Sequence, residues 1–184
     1  VKLLDVACGT GDFAIAAVKY GVPEVHGVDI SEQMLEFGKE KIAVKGLDDK
    51  ISLQIGDSEH LVFDSETFDV VTVAFGVRNF EKLEQGLKEM NRVLRVGGKI
   101  VILEFSMPEY FPVKQLYKFY FHSVLPRIGG WISGNKGAYL YLPDSVSRFP
   151  QGHEFLSIME NCGYRDVARK KLPFGIATIY SGFK

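Results

Sequence analysis

The sequence predicts a doubly wound α/β fold: a mostly parallel sheet of seven strands, the last running antiparallel, with helices on both faces. Three observations carry this. Over residues 1–105, short apolar runs rich in β-branched residues alternate with stretches of helical period, as in a parallel sheet covered on both sides. A glycine-rich loop follows the first of these runs. The turn signal Leu172-Pro173-Phe174-Gly175 between the last two strand-like runs predicts a hairpin, hence the antiparallel end.

Residues 1–6 read as the first strand, 13–20 as a helix and 25–28 as the second strand. Ser31 stands where an N-cap belongs, with Glu32 in the first turn of a helix reaching about residue 45. Residues 51–55 and 68–75 are the third and fourth strands. Leu83, Leu87, Met90 and Leu94 share one helical face, Gly97-Gly98 is expected to end that helix, and 99–105 form the fifth strand. From 106 to 148 the alternation breaks. Phe105, Tyr110, Phe111, Tyr117, Phe119, Tyr120, Phe121 and Trp131 crowd into 105–131, interleaved with Lys114, Lys118 and Arg127. This stretch is expected to be a lid or substrate insertion around 106–148; the plainer alternative makes its aromatics core for the closing helices. Phe155, Ile158, Met159 and Cys162 then mark a last helix, with Gly163 at its C′ position, before strands at 164–169 and 174–183.

A chain of 184 residues supports a single domain. At 46% hydrophobic, 24% charged and a formal charge of −1, it lacks the basic footprint of a nucleic-acid binder. No apolar run approaches the ~18 residues of a membrane span. Cys8 and Cys162 lack the partner spacing of a zinc site and suit a reduced, cytoplasmic protein. The four histidines show no metal-binding spacing; His26 reads as structural, while His122 and His153 stay open. The chain opens at Val1 inside an apolar run, so an N-terminal segment is expected to be missing.

Chemistry concentrates at strand ends. Asp5-Val6-Ala7-Cys8-Gly9-Thr10-Gly11 crosses from the first strand into the first helix, where glycines let a ligand approach the backbone. Gly9-x-Gly11-x-x-Ala14 also satisfies the dinucleotide fingerprint, and either cofactor class uses an acid such as Asp29 on ribose hydroxyls. Asp5 and Asp57 tip the balance. A carboxylate at Asp5 suits an ammonium-bearing ligand, and Gly56-Asp57-Ser58 follows the third strand, placed to accept from an adenine amine. Taken singly, Asp57 is an ordinary loop or cap residue, Ser58 is weaker still, and Cys8 is a small buried hydrophobe. Together with the antiparallel last strand, these features resemble the class I, Rossmann-like fold of methyltransferases that use S-adenosyl-L-methionine.

Further segments narrow the resemblance: Phe75-Gly76-Val77-Arg78-Asn79, Arg92-Val93-Leu94-Arg95-Val96-Gly97-Gly98, Leu103-Glu104-Phe105-Ser106-Met107-Pro108, Tyr139-Leu140-Tyr141-Leu142-Pro143-Asp144-Ser145-Val146, Phe149-Pro150 and Gly175-Ile176-Ala177. In this order they resemble the ubiquinone/menaquinone biosynthesis C-methyltransferase family over essentially the whole chain. Val96 departs from it, standing where the family usually has proline, as does the absent segment before the first strand, which in relatives helps cover the cofactor. The resemblance implies that Gly9, Thr10 and Gly11 hold the methionine end of S-adenosyl-L-methionine, Asp29 its ribose, and Asp57 with Ser58 its adenine. It implies Arg78 and Asn79 beside the transferable methyl, and no metal.

The implied reaction methylates a ring carbon of a prenylated quinol, demethylmenaquinol or a 2-methoxy-6-polyprenyl-benzoquinol. Arg78 is expected to stabilise a developing phenolate as a fixed cation, since arginine stays protonated near neutral pH. The proton acceptor stays open between a water held by Asn79, His122, and Tyr139 or Tyr141. The 105–131 aromatics would take the prenyl tail and touch the inner face of a membrane. Two other functions remain: methylation of a soluble small molecule, and a nicotinamide-dependent oxidoreductase.

Overall fold

Strands and helices follow the expected order: β1 (Lys2–Val6), α1 (Asp12–Lys19), β2 (Glu24–Asp29), α2 (Glu32–Val44), β3 (Ile51–Ile55), β4 (Phe68–Ala74), α3 (Leu83–Val93), β5 (Leu94–Phe105), α4 (Val113–Phe119), α5 (His153–Asn161), β6 (Arg165–Lys171) and β7 (Ala177–Phe183). The computed structural model describes residues 1–108, 111–119 and 144–184. Tyr110, Tyr120, Phe121, His122, Arg127, Trp131, Tyr139 and Tyr141, the side chain of Lys118, and most of the 106–148 insertion lie outside the described residues.

The seven strands form one sheet in the order β3-β2-β1-β4-β5-β7-β6. β1 to β5 pair in parallel, and β7 runs antiparallel to both its neighbours, as the hairpin signal predicts. Alternation along the strands sends side chains to two cores. Leu4 and Val6 of β1 join Val71 and Val73 of β4, Ile100 and Ile102 of β5, and the buried faces of α3 and α5. Leu3 joins Val25, Leu35, Ile42 and Leu53 beneath α1 and α2. Ser31 caps α2, its hydroxyl accepting the Met34 N–H at 3.4 Å.

One expectation fails. Gly97-Gly98 does not end α3, which stops at Val93; both glycines lie inside β5. β5 pairs Leu94 with Phe68 and then resumes at Lys99 opposite Val70, so the residues between bulge out of register. Gly97, at φ 77°, supplies the left-handed backbone that such a bulge requires. Leu94, counted on the helical face from its spacing, is instead the first residue of the strand.

The site is positioned where the chain order reverses. From β1 the chain winds outward to β2 and β3, then crosses back to β4 on the other side of β1. The connections leaving the C-terminal ends of β1 and β4 therefore diverge, opening a crevice. They nevertheless touch at their roots: a Cβ on Gly76 would stand 2.5 Å from that of Ala7. Ala7 at φ 56° and Phe75 at φ 58° are both left-handed without being glycine, and each sits one residue past its strand. Such backbone costs about 1–3 kcal/mol per residue and persists where surrounding structure imposes it.

Gly76→Ala should therefore destabilise the protein by about 1–3 kcal/mol, the scale of overpacking. Ala7→Gly in the same chain removes the colliding methyl and should recover most of the loss. Denaturant unfolding of the single and double variants measures both effects.

Candidate active site

The loop from Ala7 to Gly11 is built to turn sharply. Gly9 at φ 55° and Gly11 at φ 71° are left-handed, and Gly11 is the N-cap of α1, with no side-chain cap. Asp29, at the end of β2, ties the loop down. Its Oδ2 accepts the Gly9 N–H at 2.7 Å and its Oδ1 accepts the Ser31 N–H at 2.9 Å. Thr10 faces elsewhere: its hydroxyl donates to Asp12 at 2.7 Å and accepts from Lys41 Nζ at 2.8 Å.

Asp5 lies deeper. Its register partner on β4 is Thr72, whose hydroxyl donates to Asp5 Oδ1 at 2.9 Å. Oδ2 is buried with no partner. Burial lifts the carboxyl to about 7, opposed by the Thr72 hydrogen bond and assisted by the nearby Asp29 charge. A cationic group near Asp5 would reverse that balance and leave the carboxylate ionised.

A cavity of about 330 Å³ opens over this loop, within the usual range for small ligands. Its lining includes Ala7, Asp29, Gly56, Asp57, Ser58, Glu59, Gly76, Asn79, Phe80 and Glu81. Asp57 Oδ1 accepts the Glu59 N–H at 2.8 Å, a turn that shapes its loop. Asp5, Gly9, Thr10 and Gly11 are not among its lining residues. Four acidic side chains reach the cavity, and no Lys or Arg lines it among the described residues. That set of acceptors suits a ligand bearing hydroxyls, an amine and positive charge. It does not suit the pyrophosphate of a dinucleotide, so the glycine fingerprint alone would mislead.

A second, larger cavity of about 700 Å³ adjoins it, with Asn79 and Phe80 lining both. Val77, Arg78, Leu83, Asp144, Ser145, Arg148, Phe149 and Pro150 complete its described walls. Arg78 is not a bare cation there. Its Nη1 donates to Glu104 Oε1 at 2.8 Å and to the Phe75 carbonyl, and its backbone N–H donates to Glu104 Oε2 at 3.1 Å. The guanidinium lies 5.2 Å from the Phe105 ring centroid, and that ring stacks on Phe75 at 4.3 Å. The Glu104 side chain is wholly buried and that of Arg78 is 8% exposed. Burial raises the Glu104 carboxyl while Arg78 and two backbone N–H groups draw it down. Arg78 Nε is buried without a partner. That N–H and the Nη2 group are donors that Arg78 keeps uncommitted among the described residues.

Glu104 is the residue that sequence reasoning missed, though a signal existed. It interrupts the apolar alternation of β5 on the face that carries Ile100 and Ile102, and a buried carboxylate there demands a cation. Tyr117 of α4 lies close enough to Arg78 to feel its charge, yet burial pushes its hydroxyl up to about 12, so it holds its proton at neutral pH. His26 is structural as expected, bonded to Glu24 at 2.8 Å and set edge-on against Phe63 and Phe68. His153 is exposed at the start of α5 and lines neither cavity.

Known proteins are similar to this chain in sequence and in fold. The sequence model of the ubiE/COQ5 methyltransferase family matches residues 1–184. The demethylmenaquinone methyltransferase of Bacteroides fragilis is 45% identical over 184 residues, covering 100% of this chain and 75% of its own length. The ubiquinone/menaquinone biosynthesis C-methyltransferase UbiE of Geobacter sulfurreducens is 49% identical over 185 residues, with 100% and 72% covered. Among solved structures, a SAM-dependent methyltransferase from Aquifex aeolicus superposes with a TM-score of 0.69 at 18% identity, covering 98% of this chain and 80% of that one. At that identity the likeness speaks for the fold alone.

The state of Asp5 sets a pH dependence. With its carboxyl raised to about 7, the folded protein keeps a proton that the unfolded chain releases above about pH 4. Stability from this group is complete below about pH 4 and declines as pH rises toward 7, by at most about 1.4 kcal/mol per pH unit. Asp5→Asn should flatten that decline, read from urea midpoints at pH 4, 5.5 and 7. A cationic ligand of the smaller cavity should bind the wild type more tightly as pH rises through about 7, and Asp5→Asn should lose this trend in calorimetry.

Proposed function

The chain belongs to the ubiE/COQ5 methyltransferase family, and from that premise we propose that it methylates a ring carbon of a prenylated quinol, converting demethylmenaquinol to menaquinol. The observation that carries this reading is the pair of adjoining cavities walled by Asn79 and Phe80. The smaller, acidic cavity holds S-adenosyl-L-methionine, with Asp29 accepting from the ribose hydroxyls, Asp57 and Ser58 meeting the adenine, and Asp5 answering the ammonium charge. The larger holds the acceptor ring. The Geobacter sulfurreducens relative is named for ubiquinone as well as menaquinone, so a methoxy-benzoquinol is the second acceptor to assay.

Bound there, S-adenosyl-L-methionine supplies a methyl group on a positively charged sulfur. The ring carbon attacks it once the neighbouring hydroxyl gives up its proton. The carbon–carbon bond would form as the carbon–sulfur bond breaks, leaving S-adenosylhomocysteine. The ring would then lose its own hydrogen as a proton to restore aromaticity while the oxygen regains one, so that one proton is released overall. Arg78 stabilises the phenolate through the guanidinium N–H groups that its bonds to Glu104 and Phe75 leave uncommitted, while Glu104 and Phe105 hold it in place. Because Glu104 offsets its charge, Arg78 works mainly as a fixed, dry donor, strong in a low-dielectric wall. Asn79 and Phe80 bring the two ligands together and keep water from the gap.

A prenylated acceptor resides in a bilayer, so the protein works at the inner face of a membrane. Among the described residues no helix is long and apolar enough to cross one, and the contact is peripheral. Aromatics of the 105–131 stretch take the tail, Phe111 and Phe119 among them, which are exposed.

Incubation with labelled S-adenosyl-L-methionine and a demethylmenaquinol in detergent should yield the methylated quinol by mass spectrometry; no transfer to either quinol class would refute the assignment. S-adenosylhomocysteine should raise the melting temperature and NADH should not. Arg78→Lys should lower kcat by about 10²-fold with little change in cofactor affinity. Arg78→Ala is a poorer probe, because stranding Glu104 in the interior costs about 3–5 kcal/mol of stability.

A further inference from the structure

The β6–β7 hairpin carries a feature that methyl transfer does not use. β6 ends at Lys171 and β7 begins at Ala177, which pairs with Phe105 at the end of β5. The hairpin tip therefore stands on the same sheet edge as the two cavities. At the tip Phe174 is 73% exposed and Ile176 42%. Phe174 holds a left-handed φ of 63°, which keeps a large apolar ring in water at a position suited to glycine.

Beside the tip is a cavity of about 70 Å³, room for roughly two waters at ~30 Å³ each. Arg169, Lys171, Tyr180 and the backbone of Gly152 converge on it. Tyr180 is 1% exposed, and its hydroxyl accepts the Gly152 N–H at 2.9 Å. Its own proton has no acceptor among the described residues. Arg169 is half-buried and makes neither a hydrogen bond nor an ion pair among the described residues. Gly152 is also the uncapped N-cap of the nine-residue helix α5, whose dipole presents its positive end here. Ser106 is already spent, donating to the Gly175 carbonyl and accepting from Thr178. The spare proton of Tyr180, the unpaired guanidinium of Arg169 and the charge of Lys171 thus face one small space.

Cations on an edge strand commonly guard against aggregation. Lys170, exposed on the opposite face of β6, fits that role. Arg169 does not: its Nη1 lies 2.6 Å from where a Cβ on Gly152 would stand, tucked against the helix start instead of reaching into solvent.

We propose that this cavity binds the phosphate of an anionic phospholipid headgroup, with Phe174 and Ile176 entering the bilayer beside it. The inference rests on the reading that the acceptor is a membrane-borne quinol, and it orients the sheet edge so that the acceptor cavity faces the lipid. Arg169, Lys171 and Tyr180 supply the donors, and Lys170 adds charge attraction.

Flotation of the protein with phosphatidylcholine vesicles, with or without phosphatidylglycerol, tests it. Binding should require the anionic lipid and weaken with salt. Arg169→Gln and Lys171→Gln should each lower affinity roughly fivefold, the scale of one basic residue at an anionic bilayer. Phe174→Gly, compatible with the left-handed backbone, should lower it about tenfold or more. All three variants should methylate a tail-less, soluble acceptor at the wild-type rate. Equal vesicle binding by wild type and variants, or none by either, would overturn the proposal. So would stabilisation of the wild type, but not of Arg169→Gln, by inorganic phosphate without vesicle binding, which would mark a site for soluble anions. Vesicle binding with no methyl transfer to any quinol would instead strike the assigned acceptor and leave the headgroup site standing.

Discussion

The contact between Ala7 and Gly76 is the constraint on which the site depends. β1 and β4 lie side by side in the sheet, but the chain leaves them toward opposite flanks. Only where both exits start from one point does the space between them have a floor. The backbone meets that demand with left-handed residues at Ala7 and Phe75 and with the missing Cβ of Gly76. Much of the lining of the two cavities hangs from these two exits. The glycine loop and Asp29 follow from the first, and Val77, Arg78, Asn79 and Phe80 from the second. A shift of either would move one cavity relative to the other, and reactions between two bound partners are sensitive to displacements of about 1 Å.

Charge is handled differently on the two sides. The smaller cavity concentrates carboxylates, with Asp5 buried beneath them and one oxygen unpartnered. Such a site is held ready for a positively charged visitor and is costly without one. On the acceptor side, charge is cancelled before any ligand arrives. Glu104 offsets Arg78, Phe105 stacks on it, and the Nε and Nη2 N–H groups remain uncommitted among the described residues. Removing one member of such a pair is expensive because the other stays buried. Arg78 and Glu104 are therefore best regarded as one unit.

Most of the fold was legible because strand and helix periods differ and because Gly, Ser and Pro mark the ends of elements. Asp29 and Asp57 were legible by position, each closing a parallel strand at the edge where such sheets bind ligands. Thr10 shows the limit of a motif: the loop's shape follows from its glycines, but the threonine hydroxyl is claimed by Lys41, thirty-one residues away. Gly97-Gly98 shows another. A glycine pair after an apolar helical face ends a helix or bulges a strand with the same local signal. Pairing with Phe68 and Val70, remote in sequence, decides between them. The Arg78–Glu104 pair joins residues twenty-six apart on different elements, and no local pattern announces such a partner.

The place of β7 between β5 and β6 has a consequence for how the chain reaches this state during synthesis. The first five strands can assemble as they emerge, each docking on a neighbour already made. β5 then waits with one edge bare until Ala177–Phe183 appear, because β6 pairs with β7 and not with β5. A nascent chain halted before Ala177 exposes the unpaired N–H and C=O groups of a mostly buried, apolar strand, the kind of edge to which other chains add. The hairpin that closes the sheet is thus also what ends its vulnerability to aggregation.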